Sequence, residues 1–310
     1  MPTICASSRG TAGHGVKAIR TVVVTGGSGR VGRYVVAELS ERYEVVNADV
    51  RDRDGGSTYI KTDVMNVDEV RSAFRHADAV CHLAGLDLDR GAAPGEYLRV
   101  NVLGTWNVLQ VAAEKRLEHV VLASSVAASG LSEMRENWQP QALPVDERHE
   151  NRPTHGYGLS KLMVEQMTRS FVHQSGGHAT CLRLMSVISG ETIDDYLKFI
   201  EAPGRRWLFY YVTAEDAARA FSAALLGQEE KYGEFFVSAM DSSRMEPTLD
   251  WYEERVGPVP PSVDVDYYRA NPRASVFAYS AVCRALGWKP TSDFLELAEA
   301  RRSAGFSESP

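Results

Sequence analysis

Apolar positions in the first 185 residues fall into short continuous runs separated by segments with helical spacing. Arg20–Val24 (RTVVV), Tyr43–Asp49 (YEVVNAD), Ala79–Leu83 (AVCHL), His119–Ala123 (HVVLA) and Ala179–Leu184 have the length and composition of buried strands, and Tyr59–Asp63 is a shorter one. Between them, segments from about Arg30 to Arg42, Val67–Arg75, Glu96–Arg116 and Tyr157–Gln174 read as helices. Leu98, Val102, Leu109 and Val111–Ala113 give the third of these one apolar face. A strand that is apolar throughout must be covered on both faces, so this alternation predicts a parallel sheet between two helical layers.

The rhythm loosens after Leu184. Residues 186–208 are mixed, Ala214–Leu226 is a helix, and Glu234–Val237 is a short strand. Residues 240–305 hold Pro258, Pro260, Pro261, Pro272 and Pro290 with short helical pieces between them. This part reads as a smaller lobe on the substrate side. No internal repeat or low-complexity tract is visible.

A chain of 310 residues with 44% hydrophobic and 24% charged residues has the profile of a soluble globular protein. Its net charge of -7 argues against a nucleic-acid partner and against an anionic membrane surface. Cys5, Cys81, Cys181 and Cys283 are far apart and form no CxxC pair, so reduced thiols in a cytoplasmic protein are expected, with no disulfide framework and no metal site. No apolar stretch is long enough to span a bilayer. Residues 1–18 lack an apolar signal core and read as a flexible tail.

Candidate chemistry begins between the first strand and first helix, at Thr25-Gly26-Gly27-Ser28-Gly29-Arg30-Val31-Gly32. A turn this tight needs positive φ, which glycine adopts without a Cβ penalty. A side chain at Gly29 would block a pyrophosphate, and Gly32 would let the helix approach the strand. The amides and dipole at the helix start then hold phosphates, so the segment is a dinucleotide site at Gly26, Gly29, Arg30, Val31 and Gly32. Asp49 ends the second strand, where a carboxylate accepts both ribose hydroxyls of NAD. Arg30, Arg33 and Arg51 could pair with a 2′-phosphate, which keeps NADP as an alternative to NAD. The expected fold is therefore α/β: a Rossmann doubly wound parallel sheet over residues 19–185, to which 207–240 return. A smaller, discontinuous C-terminal substrate lobe takes 186–206 and 241–310.

Tyr157 and Lys161 stand four residues apart at the start of a helix and share one face. A free phenol titrates near 10, too high for exchange at neutral pH, and a neighbouring ammonium lowers it. Tyr157 is thereby a usable acid/base for interconverting an alcohol and a ketone. Ser124 and Ser125 follow the fifth strand at the carboxyl edge of the sheet, where ligands of such folds bind, and a hydroxyl there can polarise the substrate oxygen. His82 reads as a structural hydrogen-bonding residue and His149, His155 and His178 as loop residues; Trp207 and Tyr210 could line the substrate pocket, with core packing the favoured reading.

Together these segments resemble the short-chain dehydrogenase/reductase superfamily, in its extended branch of epimerase/dehydratase-type enzymes, over roughly residues 20–300. TGGSGRVG resembles the branch's TGxxGxxG. Asp63-Val64 resembles its adenine-contacting pair, and His82-Leu83-Ala84-Gly85 its loop over the cofactor. The helix from Asn101 to Leu109 (NVLGTWNVL), the acidic loop Leu143–Glu147, YGLSK at 157–161, the 210–218 segment YYVTAEDAA and LGWKP at 286–290 follow in the branch's order. The resemblance implies Ser125, Tyr157 and Lys161 as catalytic residues. It implies that Asp63, Val64, Leu83, Ala84, Gly85, Asn101, Tyr157 and Lys161 contact the cofactor. It also implies a homodimer through the helices at 96–116 and 157–174.

The chain departs from the branch in two places. Ser129 stands where an aromatic residue is usual. The interval between Arg183 and Tyr211 is short, with little to grip a nucleotide, which points to a smaller substrate bordered by Leu86, Ser124, Ser125, Val126 and Ser186. The length and Ser186 are similar to those of uronate dehydrogenases. However, Val126-Ala127 replaces their Asn-His pair, and Arg205 and Arg206 are the candidates for a carboxylate partner. The first reading is an NAD(P)-dependent oxidoreductase acting on a secondary alcohol or ketone of a small sugar-like or hydroxy-acid-like substrate. An NAD-dependent nucleotide-sugar epimerase or dehydratase is the second. A non-catalytic dinucleotide-sensing protein is the third, and it would have no need of Tyr157 and Lys161.

Overall fold

The computed structural model describes residues 18–53, 58–88, 91–227 and 229–303. The expected tail at 1–18 lies, except for Ala18, outside the described residues. The strands and helices of the first half are β1 (Thr21–Thr25), α1 (Gly32–Ser40), β2 (Glu44–Asp49), β3 (Thr58–Lys61), α2 (Val67–Ala73), β4 (Ala79–His82), α3 (Pro94–Tyr97), α4 (Gly104–Glu114), β5 (His119–Ser125), β6 (Ala142–Leu143) and α5 (Gly156–Ser175). Then follow β7 (His178–Leu184), β8 (Val187–Ile188), α6 (Ile193–Glu201), β9 (Val212–Thr213), α7 (Ala214–Leu225), β10 (Tyr232–Val237), α8 (Thr248–Arg255), β11 (Ser262–Val263), α9 (Val265–Ala270), α10 (Ser280–Leu286) and α11 (Phe294–Ser303).

Seven strands form one sheet in the order β10-β7-β5-β4-β1-β2-β3. Every pairing in it is parallel. The order reverses about β1, so the chain leaves β1 and β4 in opposite directions and opens a crevice at their carboxyl ends. The valine run of β1 shows why both faces must be covered. Val22 and Val24 join the core that includes α1, α7 and the C-terminal helices, whereas Val23 joins the core under α2, α4 and α5.

The helix expected at Glu96–Arg116 is not uniform. It starts as α3, widens to a π-helical turn over Leu98–Leu103, and continues as α4. The wider turn holds Asn101, whose amide reaches both the loop after β4 and α5; such turns concentrate where a helix serves a site. The mixed stretch 186–208 resolves into β8, which pairs with β9 outside the main sheet, and α6, which buries Ile193, Tyr196, Leu197 and Ile200. A two-residue strand is too short to show a period in the sequence.

The C-terminal elements are tied back through Asp216 on α7, which is fully buried. Its carboxylate accepts from Thr291 N at 3.1 Å and Ser292 Oγ at 2.8 Å, and Trp288 Nε1 donates to its carbonyl at 3.0 Å. The segments YYVTAEDAA and LGWKP thus meet in space. Buried residues of the lobe, among them Trp251, Tyr268 and Phe277, belong to the same hydrophobic cluster as Val22 and Val24.

Candidate active site

The glycine turn sits at the carboxyl end of β1. Gly26 has φ +74°, and a Cβ there would lie 2.6 Å from the amide nitrogen of Ala84, so the turn passes directly over the loop after β4. A Cβ on Gly32 would collide with the carbonyl oxygen of Gly26 and one on Gly29 would approach it to 3.0 Å. Gly32 therefore lets α1 close onto the turn itself. No side chain caps the start of α1, which leaves its positive end toward the crevice, while Arg33 N and Tyr34 N donate to Gly29 O and Val31 O at 3.2 and 3.0 Å. A cavity of about 870 Å³ begins here, bordered by Gly26, Gly29, Arg30, Val31 and Gly32.

Asp49 flanks the turn: Oδ2 accepts from Ser28 N and Oδ1 from Arg51 N, both at 3.1 Å. Leu83, Gly85 and Leu86 border the cavity, whereas Ala84 and Asn101 stand behind its wall. Asn101 Oδ1 accepts from Leu86 N at 2.7 Å, and Nδ2 donates to Leu86 O at 3.1 Å and Ser160 Oγ at 3.0 Å. It thus pins the loop after β4 to the helix that carries Tyr157. Asp63 is exposed and accepts from Met65 N, and Val64 is buried against Gly104; neither borders the cavity. Arg30 pairs with Asp87, and Arg33 with Glu191 at 2.7 Å. His82 is enclosed between Thr25 Oγ1 at 2.6 Å and Thr105 Oγ1 at 2.9 Å. Burial, with Lys161 adding to it, holds its pKa down at about 3, so it is a neutral structural residue as expected.

Further along, α5 begins at His155, whose Nδ1 caps it by accepting from Gly158 N at 2.9 Å and whose ring stacks on Tyr157. The Tyr157 ring meets the edge of Tyr97 at 5.7 Å and is 8% exposed, bordering the cavity. Lys161 Nζ lies 5.7 Å from the Tyr157 ring centroid and donates to Ala123 O at 2.9 Å. Burial pulls the lysine pKa below its ordinary value, partly opposed by the Asp87 carboxylate. Ser125 ends β5 on the cavity wall, and its Oγ accepts from Ala127 N at 3.1 Å. Val126 borders the same space, while Ser129 is fully buried and donates to Val126 O.

Ser124 borders the cavity, yet its hydroxyl donates to Glu165 Oε1 at 2.6 Å. Glu165 in turn accepts two bonds from Arg183, both at 2.8 Å, and Arg183 faces Ser124 across the β5–β7 ladder. This buried network went unnoticed in the sequence, although Glu165 lies one helical turn beyond Lys161 and so shares its face.

The opposite wall comes from β8, α6 and the segment before β9. Ser186, Thr192, Asp195, Tyr196, Phe199, Trp207 and Tyr210 border the cavity. Trp207 and Tyr210, for which the sequence favours core packing over pocket lining, thus stand on the cavity wall. Arg205 lies over the Phe199 ring at 4.2 Å, and neither it nor Arg206 borders the cavity. Among the described residues no cluster of metal-ligating side chains occurs, and Cys81, Cys181 and Cys283 are free thiols.

Comparison with known proteins agrees with this geometry. The family model for the NAD dependent epimerase/dehydratase family matches residues 22–202. L-arabinose 1-dehydrogenase (NAD(P)(+)) of Haloferax volcanii is 27% identical over 213 residues, 66% of this chain and 83% of the relative. Human UDP-glucose 4-epimerase is 30% identical over 176 residues, 48% of this chain and 47% of the relative, so the chain spans about half the length of that enzyme. Among solved structures, the Thermus thermophilus UDP-glucose 4-epimerase complex with NAD superposes with a TM-score of 0.67 at 23% identity, covering 89% of this chain and 96% of that one. A short-chain dehydrogenase/reductase superfamily protein from Agrobacterium tumefaciens with bound NAD gives 0.68 at 22% identity, covering 92% and 98%.

Proposed function

The chain belongs to the NAD dependent epimerase/dehydratase family and is an NAD-dependent enzyme of the extended short-chain dehydrogenase/reductase kind. On that premise we propose that it is a net oxidoreductase for a secondary alcohol or ketone of a small sugar-like or hydroxy-acid-like substrate. The observation that carries the reading is one continuous cavity bordered at one end by the glycine turn and further along by Ser125, Tyr157 and Lys161.

The site fits a dinucleotide. The turn is kept bare by glycines whose Cβ atoms would collide with backbone, and the uncapped start of α1 offers amides to a pyrophosphate. Asp49 would take the adenosine ribose, which supports NAD; Arg51 and Arg53 on the cavity rim make NADP the cofactor to compare. Bound there, the nicotinamide supplies the hydride acceptor or donor. The chain supplies the rest. Tyr157 takes the proton from the substrate hydroxyl during oxidation, or returns it during reduction. Lys161, fixed by Ala123 O, places a positive charge near the ring and favours the phenolate. Ser125 accepts from Ala127 N, which leaves its hydroxyl proton to be donated to the substrate oxygen.

Residues 186–206 and 241–310 are proposed as the substrate lobe, with 207–240 returning to the dinucleotide domain through β10. We propose a homodimer through α4 and α5, supported by Leu103, Trp106, Leu159 and Met163, which stay 39–50% exposed on those helices and the turn before α4. A cytoplasmic location is supported by the buried free thiols of Cys81 and Cys181. No helix among the described residues is long and apolar enough to cross a membrane.

The epimerase relatives favour a second reading, in which the cofactor is reduced and reoxidised within one turnover. Incubation with excess NAD and a panel of free and nucleotide-linked sugars separates the two. Absorbance growing at the reduced-nicotinamide band in proportion to substrate is expected. Sugar interconversion without that absorbance would contradict net oxidation.

A further inference from the structure

The cavity is charged at one end and nearly uncharged at the other. Its four arginines, Arg30, Arg33, Arg51 and Arg53, belong to the glycine turn, α1 or the segment after β2. The cations carried by α6 and the segment before β9, Lys198, Arg205 and Arg206, do not border the cavity. The charged groups that do border it on the wall formed by β8, α6 and that segment are Glu191, which is paired with Arg33, and Asp195, which is exposed and has no hydrogen bond or ion pair among the described residues. A carboxylate or phosphate on the substrate would meet Asp195 there without a counter-ion.

Tyr210 carries the positive side of the argument. It is 1% exposed, yet it borders the cavity, and its hydroxyl has no hydrogen-bond partner among the described residues. Its ring is fixed by Phe277 at 5.3 Å and Trp207 at 4.6 Å, and its carbonyl accepts from Tyr196 Oη at 2.9 Å. Burial drives the phenol well above its ordinary pKa, so Tyr210 is a neutral donor. The preceding residue, Phe209, has φ +47°, a costly conformation for a bulky side chain. It is held there by the Trp251 ring at 4.9 Å and by Ser243, whose N and Oγ donate to its carbonyl at 2.9 and 3.1 Å. Strain maintained by surrounding contacts, between the two residues that wall the cavity, marks a place where side-chain direction matters.

Building on the oxidoreductase reading above, we propose that the substrate is an uncharged free monosaccharide held against Trp207, with one hydroxyl accepting a hydrogen bond from Tyr210 and another donating to Asp195. The apolar C–H face of such a sugar packs on the indole, and its hydroxyls pair with a neutral donor and a carboxylate acceptor, so no substrate charge is needed.

The test is thermal melting of the whole protein saturated with NADH, titrated with neutral pentoses and hexoses, hexuronates, hexose phosphates and UDP-sugars, alongside NAD reduction by each. Neutral sugars are expected to raise the melting temperature at the lowest concentrations. Tyr210→Phe is expected to keep the NADH-induced shift and to raise the sugar midpoint by about 10-fold, the loss of one hydrogen bond. Should that variant not fold, Asp195→Asn at its exposed position is expected to narrow the preference for neutral sugar over hexuronate. Stronger stabilisation by a charged sugar, no stabilisation by any class, an unchanged midpoint in Tyr210→Phe, or an unchanged preference in Asp195→Asn would overturn the proposal. Melting shifts by neutral sugars without any NADH formed would retain this binding site and remove the oxidoreductase reading. NADH formed from charged sugars alone would do the reverse.

Discussion

The two ends of one cavity are built from different material. At the end beside the glycine turn the floor is backbone, glycines with no room for a Cβ and an uncapped helix start, rimmed by four arginine side chains. At the substrate end they are side chains, Tyr196, Phe199, Trp207 and Tyr210, carried on short elements outside the main sheet and fixed by one another's rings. A backbone-built site tolerates almost no substitution and accepts one ligand shape. A side-chain-built wall can be respecified without disturbing the sheet, which explains how relatives with different named substrates share this fold.

The junction between the ends is where the contrast can be broken most sharply. Tyr157→Phe is expected to lower turnover about 1,000-fold, the middle of the range for losing a general acid/base, while NADH binding is little changed. Retained turnover would detach Tyr157 from the chemistry. Next in size is the scaffold beneath both ends. Glu165→Ala leaves the fully buried Arg183 to its longer ion pair with Glu234, at 3.3 Å, and a loss of about 3 kcal/mol in urea unfolding is expected. Part of that loss should return when Arg183 is also replaced, by Leu, because the poorly compensated buried charge is then gone.

At neutral pH the smallest expected effect is that of replacing His82, whose contribution shows only as a pH dependence below about pH 6.5. His82 takes up its proton at about 3 in the fold and near 6.5 unfolded, so the unfolded state binds more protons between these values. Its contribution to stability is complete above about pH 6.5 and is lost on acidification, at about 1.4 kcal/mol per pH unit, until about pH 3. The acid limb of wild type should therefore be steeper than that of His82→Gln by up to one proton. Parallel limbs would place the histidine's proton elsewhere.

What the sequence disclosed follows the same division. Gly26, Gly29 and Gly32 were legible as turn residues because so tight a turn leaves little room for a Cβ, and the strands because burial on both faces leaves unbroken valine runs. Asn101 was legible only through resemblance; its service to the Leu86 loop depends on a π-helical turn that no apolar period announces. The bond from Ser124 to Glu165 was not legible, since a hydroxyl at a strand end looks the same in sequence whether it faces a ligand or a buried glutamate. For Tyr210 and Trp207 the sequence left both core packing and pocket lining open and favoured the first. Their placement depends on Phe209 being forced to positive φ by Trp251 and Ser243, partners more than thirty positions away in the chain.

The central claim is that a dinucleotide lies on the bare glycine turn and reaches Tyr157. Fluorescence titration of NADH into wild type and Gly32→Ala tests it most directly, because the added methyl would collide with the Gly26 carbonyl at the floor of the turn. Saturable binding to wild type and a loss of about 100-fold or more in Gly32→Ala, with folding retained by circular dichroism, is the predicted result. No saturable binding to wild type, or equal binding to both proteins, would contradict it.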